Sequence, residues 1–239
     1  MKVGGSCIMV YLTGDTHRDF ERIFDFCGEY GTTSEDIIII LGDAGINYYL
    51  DESDVRLKEE LSTLPCQLFL VYGNHEERPE LIDTYEEVEW KGGIVYVEED
   101  YPNLIFAMDG QIYDFDGKKA IVIGGAYSID KMRRIQSGAP WFEDEQPDDY
   151  IQAYVEGQLD KVNWTVDYVF SHTAPLKYEP TEEFIPGINP LYVDKSTEEW
   201  LDSIEEHLQY ERWFLGHYHC DKYIDRITIL FEEFEDLYL

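Results

Sequence analysis

The placement of histidine in this chain of 239 residues strongly constrains what it can fold into. Of its six histidines, all but His207 come directly after a short apolar run that predicts a β-strand; these are His17, His75, His172, His217 and His219. Asp15, Asp43 and Asn74 also follow predicted strands. Because the carboxyl ends of parallel strands meet at one edge of a sheet, we expect these polar groups to converge there. His207 falls in the middle of a predicted helix, where we interpret it as a solvated surface residue.

The first third of the chain alternates predicted strands and helices. Apolar runs at residues 7–12, 37–41 and 68–72 predict buried strands, and apolar residues at helical spacing follow the first two. The third run ends in Gly73-Asn74-His75-Glu76, where the backbone is expected to turn sharply out of the sheet. Successive units of this kind predict a parallel α/β sheet with its polar site along one edge.

From about residue 94 the pattern changes to short strands. Strands are predicted at 94–97, 104–108, 111–115 and 118–124, with Asp116-Gly117 as a tight hairpin turn. We therefore expect an antiparallel second sheet packed on the first. Residues 127–147 are interpreted as an irregular excursion, and Ser196 with Glu199 as the capping box of a later helix. The whole chain, 1–239, is expected to form one domain.

Charge and composition exclude several classes of partner. The formal net charge of −33 makes the surface repel phosphate backbones, so non-specific binding to long nucleic acid or to anionic membrane is disfavoured. No apolar run approaches the roughly 20 residues of a membrane span, and no signal peptide is recognised.

The four cysteines, Cys7, Cys27, Cys66 and Cys220, lack CxxC spacing and are interpreted as reduced thiols. We expect a cytoplasmic protein of undetermined oligomeric state.

The polar groups after the strands form a plausible set of metal ligands. A mixture of imidazole nitrogens, carboxylates and an amide suits Mn, Fe, Zn or Co, and is too rich in nitrogen for a dedicated Ca or Mg site. It is large enough for two ions bridged by a carboxylate, at the separation of about 3.5–4 Å that suits phosphoryl transfer. His217 and His219 point the same way in extended backbone.

These residues carry a resemblance to a known family. Gly14-Asp15-Thr16-His17, Gly42-Asp43, Gly73-Asn74-His75-Glu76, His172 and Gly216-His217-Tyr218-His219 resemble, in this order, the five sequence blocks of the calcineurin-like metallophosphoesterase superfamily. The resemblance spans positions 14 to 219. It implies an α/β fold of four layers, in which two packed mixed β-sheets are flanked by helices.

The resemblance also implies a role for each site residue. One metal ion would be held by Asp15, His17 and His219, and a second by Asn74, His172 and His217, with Asp43 bridging the two. Among the candidate metals, Mn or Fe is favoured. His75 would face the substrate, either as a proton donor to the leaving oxygen or as a hydrogen bond to the phosphoryl group.

Two departures from the family pattern bear on function. The second block reads Gly42-Asp43-Ala44-Gly45-Ile46 and lacks the second Asp, and the Arg that follows it, with which protein phosphatases of the superfamily orient the histidine and bind phosphate. That branch is therefore disfavoured. Glu76 stands where the family usually has Asp, at a position that is not a metal ligand.

Each residue also has a simpler interpretation when taken alone. Asp15 and Asp43 could cap loops or helices, Asn74 could be a turn residue, and His172 could be a satisfied core histidine. The cations of the excursion, among them Arg133 and Arg134, could be solvated surface charges or could bind the substrate phosphate in bidentate fashion.

Together these features predict a dinuclear, metal-dependent phosphoesterase that acts on a small phosphorylated substrate. A metal-bound hydroxide would attack a phosphomonoester or phosphodiester in line, with His75 assisting the leaving alcohol. The alternatives are a non-catalytic binding scaffold of the same fold and a nuclease of short nucleic acid. The complete ligand set favours catalysis, and the charge of −33 counts against the nuclease.

Overall fold

A computed structural model of the chain describes residues 8–188 and 192–239. Within these ranges the strands are β1 (Val10–Thr13), β2 (Ile37–Ile40), β3 (Gln67–Leu70), β4 (Tyr85–Trp90), β5 (Gly93–Glu98), β6 (Leu104–Ala107), β7 (Ile112–Phe115), β8 (Lys118–Ile123), β9 (Tyr168–Ser171), β10 (Arg212–Leu215), β11 (Lys222–Ile224), β12 (Ile227–Ile229) and β13 (Glu235–Asp236). The α-helices are α1 (Glu21–Tyr30), α2 (Glu52–Leu61), α3 (Lys131–Ser137), α4 (Asp149–Lys161) and α5 (Ser196–His207).

The strands form two mixed sheets. In the described ranges the first has the order β13-β1-β2-β3-β6-β5-β4 and the second the order β11-β12-β10-β9-β8-β7. Strands β1, β2, β3 and β6 are parallel, as are β8, β9, β10 and β12. The carboxyl ends of the central strands in each sheet therefore lie at one edge of that sheet.

Alternate side chains along each strand point to opposite faces of the sheet, so each sheet packs against the other sheet on one face and against helices on the other. Ile37 and Ile39 of β2 belong to the core between the sheets, which also contains Phe115 and Phe170 of the second sheet. Ile38 and Ile40 point the other way, into a cluster with residues of α1 and α2. The outer face of the second sheet packs against α4 and α5 in the same manner. The expected fold, two mixed sheets flanked by helices, is confirmed.

The middle of the chain differs from the prediction. Strands β5 and β6 pair antiparallel as expected, but they belong to the first sheet, because β6 pairs in parallel with β3. Only β7 and β8 of that section enter the second sheet. A pair of antiparallel strands has the same sequence pattern in either sheet, so the sequence alone does not show which sheet β5 and β6 join.

Three further local expectations are corrected or completed. The capping box is wrong: the N-cap residue of α5 is Lys195, whose side chain makes no capping hydrogen bond. Instead, Asp194 Oδ1 accepts a hydrogen bond from the Ser196 backbone N–H at 3.0 Å. The excursion at 127–147 is not wholly irregular, because it contains α3. His207 is exposed as expected, although it is the last residue of α5.

The cysteines and the apolar segments complete the description. Cys27, Cys66 and Cys220 have free thiols, and Cys7 lies outside the described residues. Across the described ranges, no helix combines the length and the apolar character needed to cross a bilayer.

Candidate metal centre

Residues from both sheets meet where their parallel strands end. Asp15 and His17 follow β1, Asp43 follows β2, and Asn74 and His75 follow β3; His172 follows β9, and His217 and His219 follow β10. The backbone turns sharply at these positions: the φ angles of His17, Asp43, His217 and His219 lie between 44° and 69°, in the left-handed region. The expectation that His217 and His219 lie in extended backbone is therefore wrong. Such conformations cost about 1–3 kcal/mol each and concentrate at functional sites.

One group of ligand atoms surrounds Asp15. The Nε2 atoms of His17 and His219 lie 2.8 Å apart, and Asp15 Oδ2 lies 3.6 Å from the first and 3.3 Å from the second. Asp15 is buried, and its Oδ2 has no hydrogen-bond partner among the described residues. A buried carboxylate oxygen facing two imidazole nitrogens fits a divalent cation, which would satisfy all three atoms.

A second group surrounds His172. Its Nε2 lies 2.8 Å from Asn74 Oδ1 and 3.5 Å from Asp43 Oδ1. Its Nδ1 lies 2.8 Å from the Leu41 carbonyl oxygen, which can only accept a hydrogen bond, so Nδ1 carries a proton. Asn74 Oδ1 also only accepts, so Nε2 donates to it and would have to give up its proton to bind a cation. The ring of His217 lies 5.0 Å from that of His172, and its backbone N–H donates to Asp15 Oδ1.

Asp43 lies between the two groups. Its Oδ2 is 3.8 Å from His17 Nε2 and its Oδ1 is 3.5 Å from His172 Nε2. Oδ1 also accepts a hydrogen bond from the His75 backbone N–H at 2.8 Å, which fixes the orientation of the carboxylate. The ring of His75 lies 5.0 Å from that of His17.

The protonation states follow from burial and from the close charges. Burial alone would raise the pKa of Asp43, but the imidazoles of His172 and His75 hold it well below its usual range. Burial would lower the pKa of His172, yet Asp43 and Asp15 raise it to about 9. Desolvation and the nearby His172 lower the pKa of His217 to about 3. A cation bound here would compete with the proton of His172.

The excursion supplies supporting residues that the sequence did not reveal. Ser128 Oγ accepts a hydrogen bond from Asn74 Nδ2 at 2.8 Å, which turns Asn74 Oδ1 toward His172. Arg134 Nη1 donates to the same hydroxyl oxygen at 3.1 Å. Ser128 belongs to no motif and follows no strand directly, so no pattern in the sequence marks it.

Asp130 is a second residue that sequence reasoning missed. Its Oδ1 lies 4.0 Å from His75 Nε2 and has no hydrogen-bond partner among the described residues. The second block of the sequence lacks the carboxylate that orients the histidine in protein phosphatases. Asp130 brings a carboxylate near the same imidazole from a different part of the chain.

The two predicted phosphate-binding arginines occupy different environments. Arg133 is exposed and lines a cavity beside His75, Asp43 and Asn74, without an ion pair or hydrogen bond within the described ranges. Arg134 is buried and does not line that cavity; besides Ser128 it contacts the carbonyl oxygens of Asn74 and Pro140. The structure therefore brings Arg133 to the open side of the site and Arg134 behind it.

Comparison with known proteins adds two findings. The family model of the calcineurin-like phosphoesterases matches residues 8–221. No curated protein sequence gives a significant match.

Similar solved structures include TT1561 of Thermus thermophilus, at 12% identity over 97% of this chain and 98% of that one, with a TM-score of 0.51. The phosphopantetheinyl hydrolase PptH of Mycobacterium tuberculosis is 11% identical over 95% and 89% of the two chains, also with a TM-score of 0.51. At these identities the likeness concerns the fold alone.

Proposed function

Because the chain belongs to the calcineurin-like phosphoesterase family, whose members are generally hydrolases and bind divalent metals, we propose that it is a dinuclear phosphoesterase acting on a small phosphorylated substrate. The placement of Asp43 carries this proposal. Its two carboxylate oxygens face different histidines, His17 and His172, and each histidine belongs to a separate group of candidate ligands. A carboxylate held in this way is suited to bridge two cations.

We assign the ligands accordingly. Asp15, His17 and His219 would hold one ion, and Asn74, His172 and His217 the other, with Mn or Fe favoured by the mixture of nitrogen and oxygen donors. Two cations bound here would supply an activated water and neutralise charge on the non-bridging phosphoryl oxygens.

The remaining residues would bind and orient the substrate. His75 is held by the hydrogen bond from its backbone to Asp43 and lines the cavity, so its ring can contact the phosphoryl group or the leaving oxygen. Asp130, 4.0 Å from His75 Nε2, would orient that ring. Arg133, which has no ion pair or hydrogen bond to the residues that the structure describes, would offer its guanidinium to the phosphate from the same cavity. We propose that the protein acts in the cytoplasm.

The first test measures metal content and hydrolysis together. Wild type, Asp43→Asn and the surface control Asp114→Asn are reconstituted in turn with Mn²⁺, Fe²⁺, Zn²⁺ and Co²⁺. Each is then assayed on 4-nitrophenyl phosphate and bis(4-nitrophenyl) phosphate. We expect about two metals per chain in wild type and in the control, with activity on at least one ester. Asp43→Asn should lose metal and activity together. A wild type that binds no metal and hydrolyses neither ester would refute the proposal.

A further inference from the structure

A cavity beside the metal centre has room for more than a phosphoryl group. It encloses about 830 Å³ and is lined by His17, Asp43 and Asn74 together with residues from the ranges 179–188 and 193–198. A phosphoryl group bound at the candidate ligands would leave most of this volume to the rest of the ester. The lining of the cavity therefore indicates the chemistry of the leaving group.

Part of the lining is apolar. Phe184, Ile185 and Ile188 line the cavity with exposed fractions of 36%, 60% and 37%. The Phe184 ring stacks on that of Tyr218 with ring centres 6.2 Å apart, and Tyr218 directly follows His217. An apolar surface thus begins beside the candidate metal ligands, where it can cover an apolar part of the substrate.

Glu198 adds a buried hydrogen-bond acceptor to the same lining. Its side chain lies in the first turn of α5 and is only 4% exposed. Thr173 Oγ1 donates to its Oε1 at 2.8 Å, while its Oε2 has no hydrogen-bond partner within residues 8–188 and 192–239. A buried acceptor without a donor is costly, and a donor on a ligand would remove that cost.

Charge in the cavity limits what else the leaving group can carry. The carboxylates of Glu179, Glu183 and Asp194 line it, and the ammonium of Lys195 is held by Glu179 with Nζ and Oε2 2.5 Å apart. Among the described residues, the other cation that lines the cavity is Arg133, which is assigned to the phosphate at the candidate metal ligands. A second phosphate on the substrate would therefore face the carboxylates without a cation of its own.

We propose that Glu198 determines substrate specificity by accepting a hydrogen bond from the leaving group. The substrate class is a phosphate ester of a partly apolar alcohol that carries a hydroxyl or N–H donor and no second phosphate. This inference rests on the proposed phosphoesterase function. It adds a named acceptor and the chemistry of the leaving group.

The test compares two substituted phenyl esters that differ in one donor. The 4-hydroxymethyl ester presents an O–H, whereas the 4-methoxymethyl ester has nearly the same shape and no donor. Both are made as monoesters or as methyl diesters, according to the class hydrolysed in the nitrophenyl assay. The assays are run at pH 8, because burial raises the pKa of Glu198 to about 7 and its carboxylate is ionised above that value. In wild type we expect kcat/KM to be about tenfold higher for the hydroxymethyl ester, because the methoxymethyl ester leaves Glu198 unpaired.

The Glu198→Gln variant keeps the shape of the side chain and can replace the acceptor Oε2 with a donor NH₂ group. Its amide oxygen can accept from Thr173 as Oε1 does, which turns the NH₂ group toward the position of Oε2. We expect the preference for the hydroxymethyl ester to disappear or reverse. Glu199→Gln is the matched control, because Glu199 is the next residue of the helix, is exposed and does not line the cavity. It should retain the tenfold preference.

Direct binding separates this inference from the proposed function. Calorimetry with 4-hydroxymethyl- and 4-methoxymethyl-benzylphosphonate measures the same donor effect without hydrolysis. If no ester is hydrolysed but the first phosphonate binds about tenfold more tightly, and loses this advantage in Glu198→Gln, the enzymatic proposal fails and the role of Glu198 stands.

Equal binding and equal kcat/KM for both members of each pair in wild type would overturn the inference. So would a preference that persists unchanged in Glu198→Gln. Should that variant not fold, Ile185→Ser tests the apolar surface, because Ile185 is 60% exposed. We expect this variant to bind both phosphonates several-fold more weakly than wild type, while the ratio of their two affinities stays near ten. Unchanged affinities would exclude the apolar contact.

Discussion

Two neighbouring arginines show how differently adjacent residues can serve one site. Arg133 is exposed in the cavity and free of ion pairs in the described part of the chain, whereas Arg134 is buried behind Asn74. A guanidinium in the first setting is available to an anionic ligand. The guanidinium of Arg134 is already hydrogen-bonded to Ser128 Oγ and to backbone carbonyl oxygens, so we expect the loss of this side chain to affect mainly the stability of the protein.

Substitution of each arginine by Ala should therefore give different results. For Arg133→Ala we expect KM for a phosphate ester to rise about tenfold, with unchanged metal content and Tm, because one charged hydrogen bond to the substrate is lost. For Arg134→Ala we expect a loss of about 1–3 kcal/mol in the free energy of unfolding, from buried groups left unpaired. Arg56→Ala on the exposed face of α2 controls for charge. An unaltered KM in Arg133→Ala would contradict its assignment.

Glu198 also predicts a dependence of stability on pH. Burial raises its pKa from 4.5 to about 7, so between these values the folded protein holds a proton that the unfolded chain releases. Its contribution to the free energy of unfolding must then fall as pH rises through this window, by an amount on the order of 3 kcal/mol. Glutamine does not ionise, so Glu198→Gln should gain stability relative to wild type from pH 5 to 7 and keep that gain above pH 7.

Urea unfolding of both proteins between pH 5 and 8 measures this difference. The exposed neighbour provides the reference, since Glu199→Gln should track wild type at every pH. A stability difference between wild type and Glu198→Gln that does not vary with pH would show that Glu198 is ionised throughout.

At the scale of elements, the site depends on strand ends that leave no room for side chains. A Cβ atom added at Gly73, which follows β3, would lie 2.1 Å from both the backbone nitrogen and Oδ1 of Asp43. The same addition at Gly28, on the exposed side of α1, meets nothing within 4 Å. Close packing against Asp43 therefore excludes a side chain at Gly73, whereas Gly28 is under no such steric constraint.

Alanine at these positions should have opposite effects. Gly73→Ala must displace Asp43, so we expect it to lose bound metal and to lower Tm. Gly28→Ala should raise the free energy of unfolding by about 0.5–1 kcal/mol, because alanine loses less backbone entropy in a helix. Metal analysis and thermal unfolding of both variants measure the contrast. Full metal content in Gly73→Ala would show that the strand end can move without affecting Asp43.

The elements also show where sequence reasoning succeeds. Strands β1, β2 and β3, which precede Asp15, Asp43 and Asn74, are largely buried apolar runs, so they were predicted to within a few residues. Strand β4 was missed because its sequence, Tyr-Glu-Glu-Val-Glu-Trp, is largely exposed and is held by pairing with β5. Ser128 and Asp130 were missed because their roles depend on where a loop is placed by the rest of the fold, which local periodicity does not record.

The C-terminal segment illustrates the same limit. Residues 232–236 are mostly acidic, and their sequence does not decide whether they dock on the rest of the chain or remain mobile. In the structure β13 pairs with β1, Phe234 stacks on Phe26 with ring centres 3.9 Å apart, and Leu237 is buried. Both docked apolar residues were visible in the sequence, but their receptor is formed by distant elements.

For the whole molecule, the net charge of −33 must be separated from the charge of the site. So many carboxylates repel one another in the compact state, and they also attract divalent cations without specific geometry. Salt screens the first effect over a Debye length of about 8 Å at 0.15 M. A specific metal centre should remain measurable under that screening.

Thermal unfolding under two conditions distinguishes the effects. Raising NaCl from 20 to 300 mM should raise Tm in wild type and in Asp43→Asn alike, because screening acts on the whole surface. At fixed 150 mM NaCl, Mn²⁺ at about 100 times its Kd should stabilise wild type by about 2.7 kcal/mol for each bound ion, or roughly 5–10 °C per ion. Asp43→Asn should lack this second gain, because it removes the carboxylate that faces both ligand groups. If Mn²⁺ raised the Tm of wild type and of Asp43→Asn equally, the cation would be acting on the acidic surface, and the proposed metal centre would lose its support.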